Sequence, residues 1–264
     1  MVNWSDIIGR VSFVNCDPLF HNLSEHWSIL PAPPAWLTGH LLRRDCLVAP
    51  IPAADYAANS SELILLPDIG IASVGAVGSV LLFSKRELTK IRDIALPTDS
   101  STSKKLVLYL LSQLGLDPKT VDMGPDLDEM LSKCDAALLI GDRALDEAQR
   151  NPELVKMDLG EEWFKQTGLP MVFGVFAAPV SAPVNKLKQA HHDLLENAKK
   201  FRDEQQIKDD VIRDTVIRSG FSKDRINGYF NEVTNILTDD SVRGLELFLT
   251  KVCGLETDIQ WLEI

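Results

Sequence analysis

An alternation of short apolar runs and amphipathic segments between residues 94 and 142 constrains this chain more than any other feature. Ile94-Ala95-Leu96 has the composition of a short buried strand. Leu106, Val107, Leu110, Leu111 and Leu114 then recur at helical spacing, which predicts a helix over 101–114 stopped by Gly115. A strand over 121–123, a helix over 126–133 and the apolar run Ala136-Ala137-Leu138-Leu139-Ile140 continue the series. Strands separated by helices do not pair as hairpins, so the pattern predicts a mainly parallel sheet covered by helices.

A second strand-to-helix corner lies near the start of the chain. Val11, Phe13 and Val14 favour a strand. Asp17-Pro18 reads as a helix start, with Asp17 as cap and Pro18 at the first helical position of a helix over 18–27. Asn15 then sits at the edge along which ligands bind in open α/β sheets. Further strands are predicted at 46–49, 62–66, 69–74 and 77–83, with a helix over 34–44. The polar stretch 84–92 reads as a crossing between lobes, and the apolar strand 171–178 as the return. Beyond Pro183 the chain reads as helices over 185–202, 204–219, 223–237 and 241–252. The expected division is one lobe from 1–84 plus 174–264 and a second lobe from 85–173, with the helical tail wrapping the first.

Composition removes several classes of function. The 264 residues carry a net charge of −11, which argues against a nucleic-acid partner. An anionic ligand would be repelled at long range and would need local donors. Cys16, Cys46, Cys134 and Cys253 form no CxxC and no Cys-His cluster with zinc spacing, so they read as reduced thiols. No apolar run follows a basic head near Met1, and no window spans a bilayer, so a cytoplasmic protein without membrane contact is expected. The histidines lack HxxxH spacing, so no metal is expected. There is no Walker loop, no GxGxxG after a strand and no GxSxG elbow, so no nucleotide cofactor is expected. His191-His192 reads as surface, and Trp4, Trp27, Trp36, Trp163 and Trp261 read as packing residues.

The corners are the candidate sites. Pro97-Thr98-Asp99-Ser100-Ser101-Thr102-Ser103 joins a strand to a helix. Free helix N–H groups among hydroxyls form an anion site, and the same residues also suit a plain helix cap. Lys104 and Lys105 follow in the first turn, where the helix dipole disfavours cations and a bound anion would offset it. At Ile140-Gly141-Asp142, Gly141 admits a close ligand and Asp142 reads as a cap. Asn15 either orients a substrate hydroxyl or bonds its own turn. Ser79 is either a satisfied buried hydroxyl or a ligand contact in the space left by Gly75 and Gly78.

Two α/β lobes joined by two crossings, with hydroxyl-rich corners facing a cleft, is the architecture of periplasmic-binding-protein-like folds of the second type. The motifs also resemble one family in order. They are Asn15-Cys16-Asp17-Pro18-Leu19-Phe20, the run from Val48 to Tyr56, Ser79-Val80-Leu81-Leu82-Phe83-Ser84, the loop from Ser100 to Ser103, the run from Asp135 to Asp142, and Asp158-Leu159-Gly160 with Trp163 before Thr167-Gly168-Leu169-Pro170. The family is chorismate dehydratase, the first enzyme of the futalosine route to menaquinone. Asp17 departs from it, since the family more often has an uncharged residue there.

The resemblance implies a carbon–oxygen lyase that removes water from chorismate to give 3-(1-carboxyvinyloxy)benzoate, a step driven by aromatisation. It implies Asn15 and Ser79 as catalytic residues near the bonds that break. Ser101, Thr102 and Ser103 would hold one substrate carboxylate, and backbone groups near Gly141 or the Ser79 strand would help hold the other. No general base is evident, and the enolpyruvyl carboxylate of the substrate itself fits that role. Two alternatives share the fold: a non-catalytic carboxylate-binding protein, and the sister enzyme 1,4-dihydroxy-6-naphthoate synthase, which typically uses a histidine.

Overall fold

The structure is a computed structural model that describes residues 3–264. The first half runs β1 (Ile7–Val11), a 3-10 turn (Val14–Cys16), α1 (Asp17–Phe20), β2 (Ser28–Ala32), α2 (Pro34–Leu42), β3 (Ala49–Pro52), α3 (Ala53–Ala58) and β4 (Leu63–Ser73). Next come β5 (Val80–Ser84), β6 (Asp93–Pro97), α4 (Ser101–Gln113), β7 (Lys119–Met123), α5 (Leu127–Lys133), β8 (Ala136–Ile140), α6 (Gly141–Arg150), β9 (Val155–Asp158) and α7 (Leu159–Thr167). The chain closes with β10 (Met171–Pro179), α8 (Val184–Asp203), α9 (Gln205–Ser219), α10 (Lys223–Glu232), β11 (Thr234–Ile236) and α11 (Asp239–Lys251).

The strands form two main sheets. The first has the order β11-β4-β10-β3, and its pairs are antiparallel. The parallel pair β1-β2 extends it beyond β3, through a bridge from Ile8 to Val48 and the bond from Gly9 N to Val48 O at 2.8 Å. The second sheet has the order β7-β6-β8-β5-β9. Its β7-β6-β8 half is parallel, as the strand–helix alternation predicts, whereas β5 runs antiparallel to both β8 and β9. The expectation of a mainly parallel sheet therefore applies to one half of one sheet. β5 carries the chain into the second unit, antiparallel to both of its neighbours there, and β10 returns it to the first sheet between β4 and β3.

Sheet pairing places the two passages of chain between the sheets at residues 74–79 and 168–170. The expected exchange points at 84/85 and 173/174 fall just after β5 and inside β10. Asp158 builds the first passage. Its carboxylate caps α7 by accepting the Gly160 and Glu161 N–H groups, at 2.9 and 3.1 Å. The same carboxylate accepts the Val77 N–H at 3.1 Å and the Gly78 N–H at 2.7 Å. Gly160 must lack a side chain, because a Cβ there would lie 2.6 Å from Ser73 Oγ and 2.7 Å from Gly75 O. One half-buried carboxylate thus locks the passage to the start of α7 and sets where the next residue, Ser79, points.

Several local readings need correction. The helix expected over 18–27 stops at Phe20, because His21 is extended and Asn22 adopts a left-handed φ of 52°. Asp17 does not cap it. Its buried carboxylate accepts bonds from Arg10, from Arg218 at 2.8 Å and from Thr215 Oγ1 at 2.7 Å. Asp142 does not cap α6 either; it lies inside the helix and reaches the backbone of Val14. The strand readings 62–66 and 69–74 are one strand, β4, bent where Asp68 takes a φ of 63°. The helix expected over 223–237 ends at Glu232, and β11 follows by pairing with the edge of β4. His191 is buried, its Nε2 is 3.0 Å from Pro67 O, and burial lowers its pKa. Trp36 is 65% exposed rather than packed.

Candidate active site

A cavity enclosing about 520 Å³ of empty space, part of it open to solvent, lies between the sheets. Most of its wall is apolar, with Phe13, Pro34, Ile51, Ile71, Ile140 and Phe173 among the lining residues. Its polar side chains are Asn15, Ser79, Ser100 and Ser103, and none of the lining residues is ionisable. Three hydrogen bonds join the two units around it. Val14 N donates to Asp142 Oδ1 at 3.0 Å, Ala54 N to Thr102 Oγ1 at 3.0 Å, and Ala35 N to Asp99 O at 3.3 Å. The cleft is therefore closed in this structure.

The first wall carries Asn15 and Ser79. Asn15 lies in the 3-10 turn between β1 and α1. Asn235 Nδ2, on β11, holds that turn by donating to Asn15 O at 3.1 Å and to Gly70 O at 3.2 Å. The Asn15 Oδ1 atom is buried and has no hydrogen-bond partner. A buried amide oxygen of this kind is costly unless a ligand or water donates to it. Ser79 stands just before β5 and is 3% exposed. Its Oγ is 3.0 Å from the hydroxyl of Tyr229 on α10.

The second wall is built by α4 and α6. Ser100 caps α4, its Oγ accepting the Ser103 N–H at 3.3 Å and donating to Ser103 Oγ at 2.8 Å. With its lone pair so engaged, Ser103 can turn its own proton toward the cavity. The 13-residue helix α4 adds the positive end of its dipole at this corner. Gly141 begins α6 with a φ of 60°, and a Cβ there would lie 2.6 Å from the Phe13 ring. Its N–H is already committed to Ser79 O at 2.7 Å. Gly141 thus shapes the cavity and braces Ser79 but has no N–H left for a carboxylate, against the expected role.

The structure brings Asn15, Ser79, Ser103 and Gly141 together on one cavity and leaves Ser101 and Thr102 off its wall. The Thr102 hydroxyl closes the cleft onto Ala54, and Ser101 Oγ is buried without a partner. Lys104 pairs with Asp122 of β7, at 2.5 Å. Sequence reasoning did not find Tyr229, Asn235 and Phe13 as contributors. The first two come from the distant tail, and no local pattern marks them. Among the described residues, no three His, Cys, Asp or Glu side chains are grouped to hold a metal ion. No described helix is long and apolar enough to cross a membrane.

Two mixed α/β units facing each other across a cavity define the periplasmic-binding-protein-like class of fold. Solved structures agree. Protein AF1704 from Archaeoglobus fulgidus superposes with a TM-score of 0.74 at 17% identity, over 94% of this chain and 97% of that one. The Candida albicans CA3427 product, described as exhibiting the generic periplasmic binding protein fold, gives 0.69 at 13% identity, over 98% of this chain and 97% of that one. Sequence carries the assignment further. Chorismate dehydratase of Thermus thermophilus is 35% identical over 210 residues, covering 72% of this chain and 77% of that protein. A family model described as menaquinone biosynthesis matches residues 7–253, and the chain belongs to that family.

Proposed function

We propose that this protein is a chorismate dehydratase. The observation that carries the reading is the pairing of Asn15, whose buried Oδ1 lacks a partner, with Ser79 on the wall of one apolar cavity. That pairing occurs in a chain 35% identical to a chorismate dehydratase. In the reaction, the carbon bearing the enolpyruvyl ether loses its proton, and the C–H electron pair becomes the new ring double bond. The neighbouring C–O bond breaks, and its pair leaves with the oxygen. The enolpyruvyl carboxylate takes the proton and passes it to that oxygen, which departs as water. Asn15 Oδ1 accepts the hydrogen of the leaving hydroxyl, and Ser79 Oγ–H donates to its oxygen. Ser103 and the start of α4 bind the ring carboxylate. These neutral donors gain strength in an apolar, closed cavity. The protein mainly positions reacting groups that the substrate brings itself.

The absence of an ionisable lining side chain favours one other reading, a carboxylate-binding protein without catalysis. One experiment separates them. The purified protein is mixed with chorismate, and the products are followed by mass spectrometry. A product lighter by one water is expected, with turnover reduced about 100-fold or more in both Asn15→Ala and Ser79→Ala. Chorismate bound but unchanged by the wild type supports the binding protein. Near-normal turnover in both variants removes Asn15 and Ser79 from the mechanism. Cyclic futalosine, the substrate class of the sister enzyme, serves as the comparison ligand.

A further inference from the structure

The Ser79 hydroxyl is backed by a group that the chemistry above does not use. Tyr229 has no exposed surface, and its hydroxyl lies 3.0 Å from Ser79 Oγ. Among the described residues, Ser79 Oγ is the hydrogen-bond partner of that phenol. Two hydroxyls sharing one hydrogen bond leave one proton over, and that proton needs an acceptor elsewhere. If Ser79 were the donor, the spare proton would be the phenol's, walled in on every side. If Tyr229 is the donor, the spare proton is that of Ser79, which faces the cavity. Burial of unsatisfied donors is costly, so the second arrangement wins.

We propose that Tyr229 is a positioning residue, whose hydroxyl donates to Ser79 Oγ and thereby turns the Ser79 proton toward the departing oxygen of the substrate. The proposal rests on the dehydratase reading and assigns a role within it to the C-terminal tail. The phenol is well set for this duty. Arg225 lies over its ring, 5.6 Å from the centroid, and pairs with Glu232 at 3.2 Å, which pins α10 against the passage at Gly78. Burial raises the phenol's pKa far above its ordinary value, so it stays protonated at any working pH. As the Ser79 proton is drawn toward the leaving oxygen, negative charge grows on Oγ. A donor already aimed at Oγ stabilises that charge without reorganising.

The test is a double-mutant cycle with Tyr229→Phe, which keeps the ring and removes only the hydroxyl. Tyr229→Phe is expected to lower kcat about 10- to 100-fold while KM for chorismate stays within about twofold. In the Ser79→Ala background, Tyr229→Phe is expected to cost less than about twofold more, because its target is gone. Losses that multiply, or an unchanged kcat in Tyr229→Phe, overturn the proposal. A second readout needs no turnover. The chain has three tyrosines, so labelling the hydroxyl-bearing ring carbon with carbon-13 yields a simple NMR spectrum. The line lost in Tyr229→Phe should move in Ser79→Ala, and a line that does not move also overturns the proposal. If the wild type leaves chorismate unchanged, the dehydratase reading fails, while the carbon-13 line still decides whether the phenol holds Ser79.

Discussion

The two walls of the cavity are held in different ways. Ser100 and Ser103 are placed by their own helix, through a cap three residues long and the dipole of α4. Asn15 and Ser79 are placed by groups far away in sequence: Asn235 on the Asn15 carbonyl, Tyr229 on the Ser79 hydroxyl and Asp158 on the N–H groups just before Ser79. The first wall therefore depends on the whole fold, and the second on a single turn. Residues proposed to act on the bonds that break sit on the wall with the more distant support. Orientation to within a few tenths of an ångström needs restraint from several directions, and one helix start supplies restraint from only one.

The contrast can be broken at Asp158. Replacing Asp158 by Ala strips the acceptor from the N–H groups of Val77, Gly78, Gly160 and Glu161 at once. A loss of about 4 kcal/mol in urea-monitored unfolding is expected, accompanied by a sharp fall in kcat as the passage before Ser79 loosens. A variant as stable and active as the wild type would mean that the first wall needs no distant support. Ser100→Ala probes the other wall. It should lower stability by about 1 kcal/mol, the worth of an N-cap, and weaken chorismate binding severalfold in calorimetry, with kcat nearly kept. A kcat loss as large as that of Ser79→Ala would erase the distinction between the walls.

The smallest expected effect concerns Asp142, which joins the walls by accepting the Val14 N–H at 3.0 Å. Burial is the largest influence on its carboxyl and raises its pKa above the ordinary value of 3.8. A carboxyl whose pKa is higher in the folded state binds more protons there, so its contribution to stability falls as pH rises through the window between 3.8 and the raised value. Asp142→Asn keeps an acceptor for Val14 without a partly desolvated charge. The variant should therefore be slightly more stable than the wild type at pH 7, and the advantage should vanish below the ordinary carboxyl range. An advantage that grows on acidification would show that the charge itself holds the cleft shut.

Where local chemistry dictated structure, the sequence was readable. The leucine spacing of α4, its hydroxyl-rich start and the apolar β8 ending at Gly141 all lie where the residues predict. Asp17 and Asp142 misled for one reason. Each stands at a helix start, where a carboxylate suits the dipole, yet each found a stronger partner elsewhere: two arginines and a threonine for Asp17, a backbone N–H of the opposite unit for Asp142. A nearby cap is visible in sequence, and a distant donor is not.

The same division covers the molecule as a whole. The sequence by itself determined the strand–helix alternation, the family's run of motifs and the candidates Asn15, Ser79 and Ser103, because these rest on residue type and spacing over a few turns. Only the tertiary structure decided that β5 runs antiparallel in its sheet, that Thr102 closes the cleft instead of lining it, and that Gly141 spends its N–H on Ser79. It also decided that Tyr229 stands behind Ser79, 150 residues away along the chain. Such choices are settled by competition among partners brought together from across the chain. A hydrogen-bonding group takes the best donor or acceptor within about 3 Å, whatever its distance in sequence.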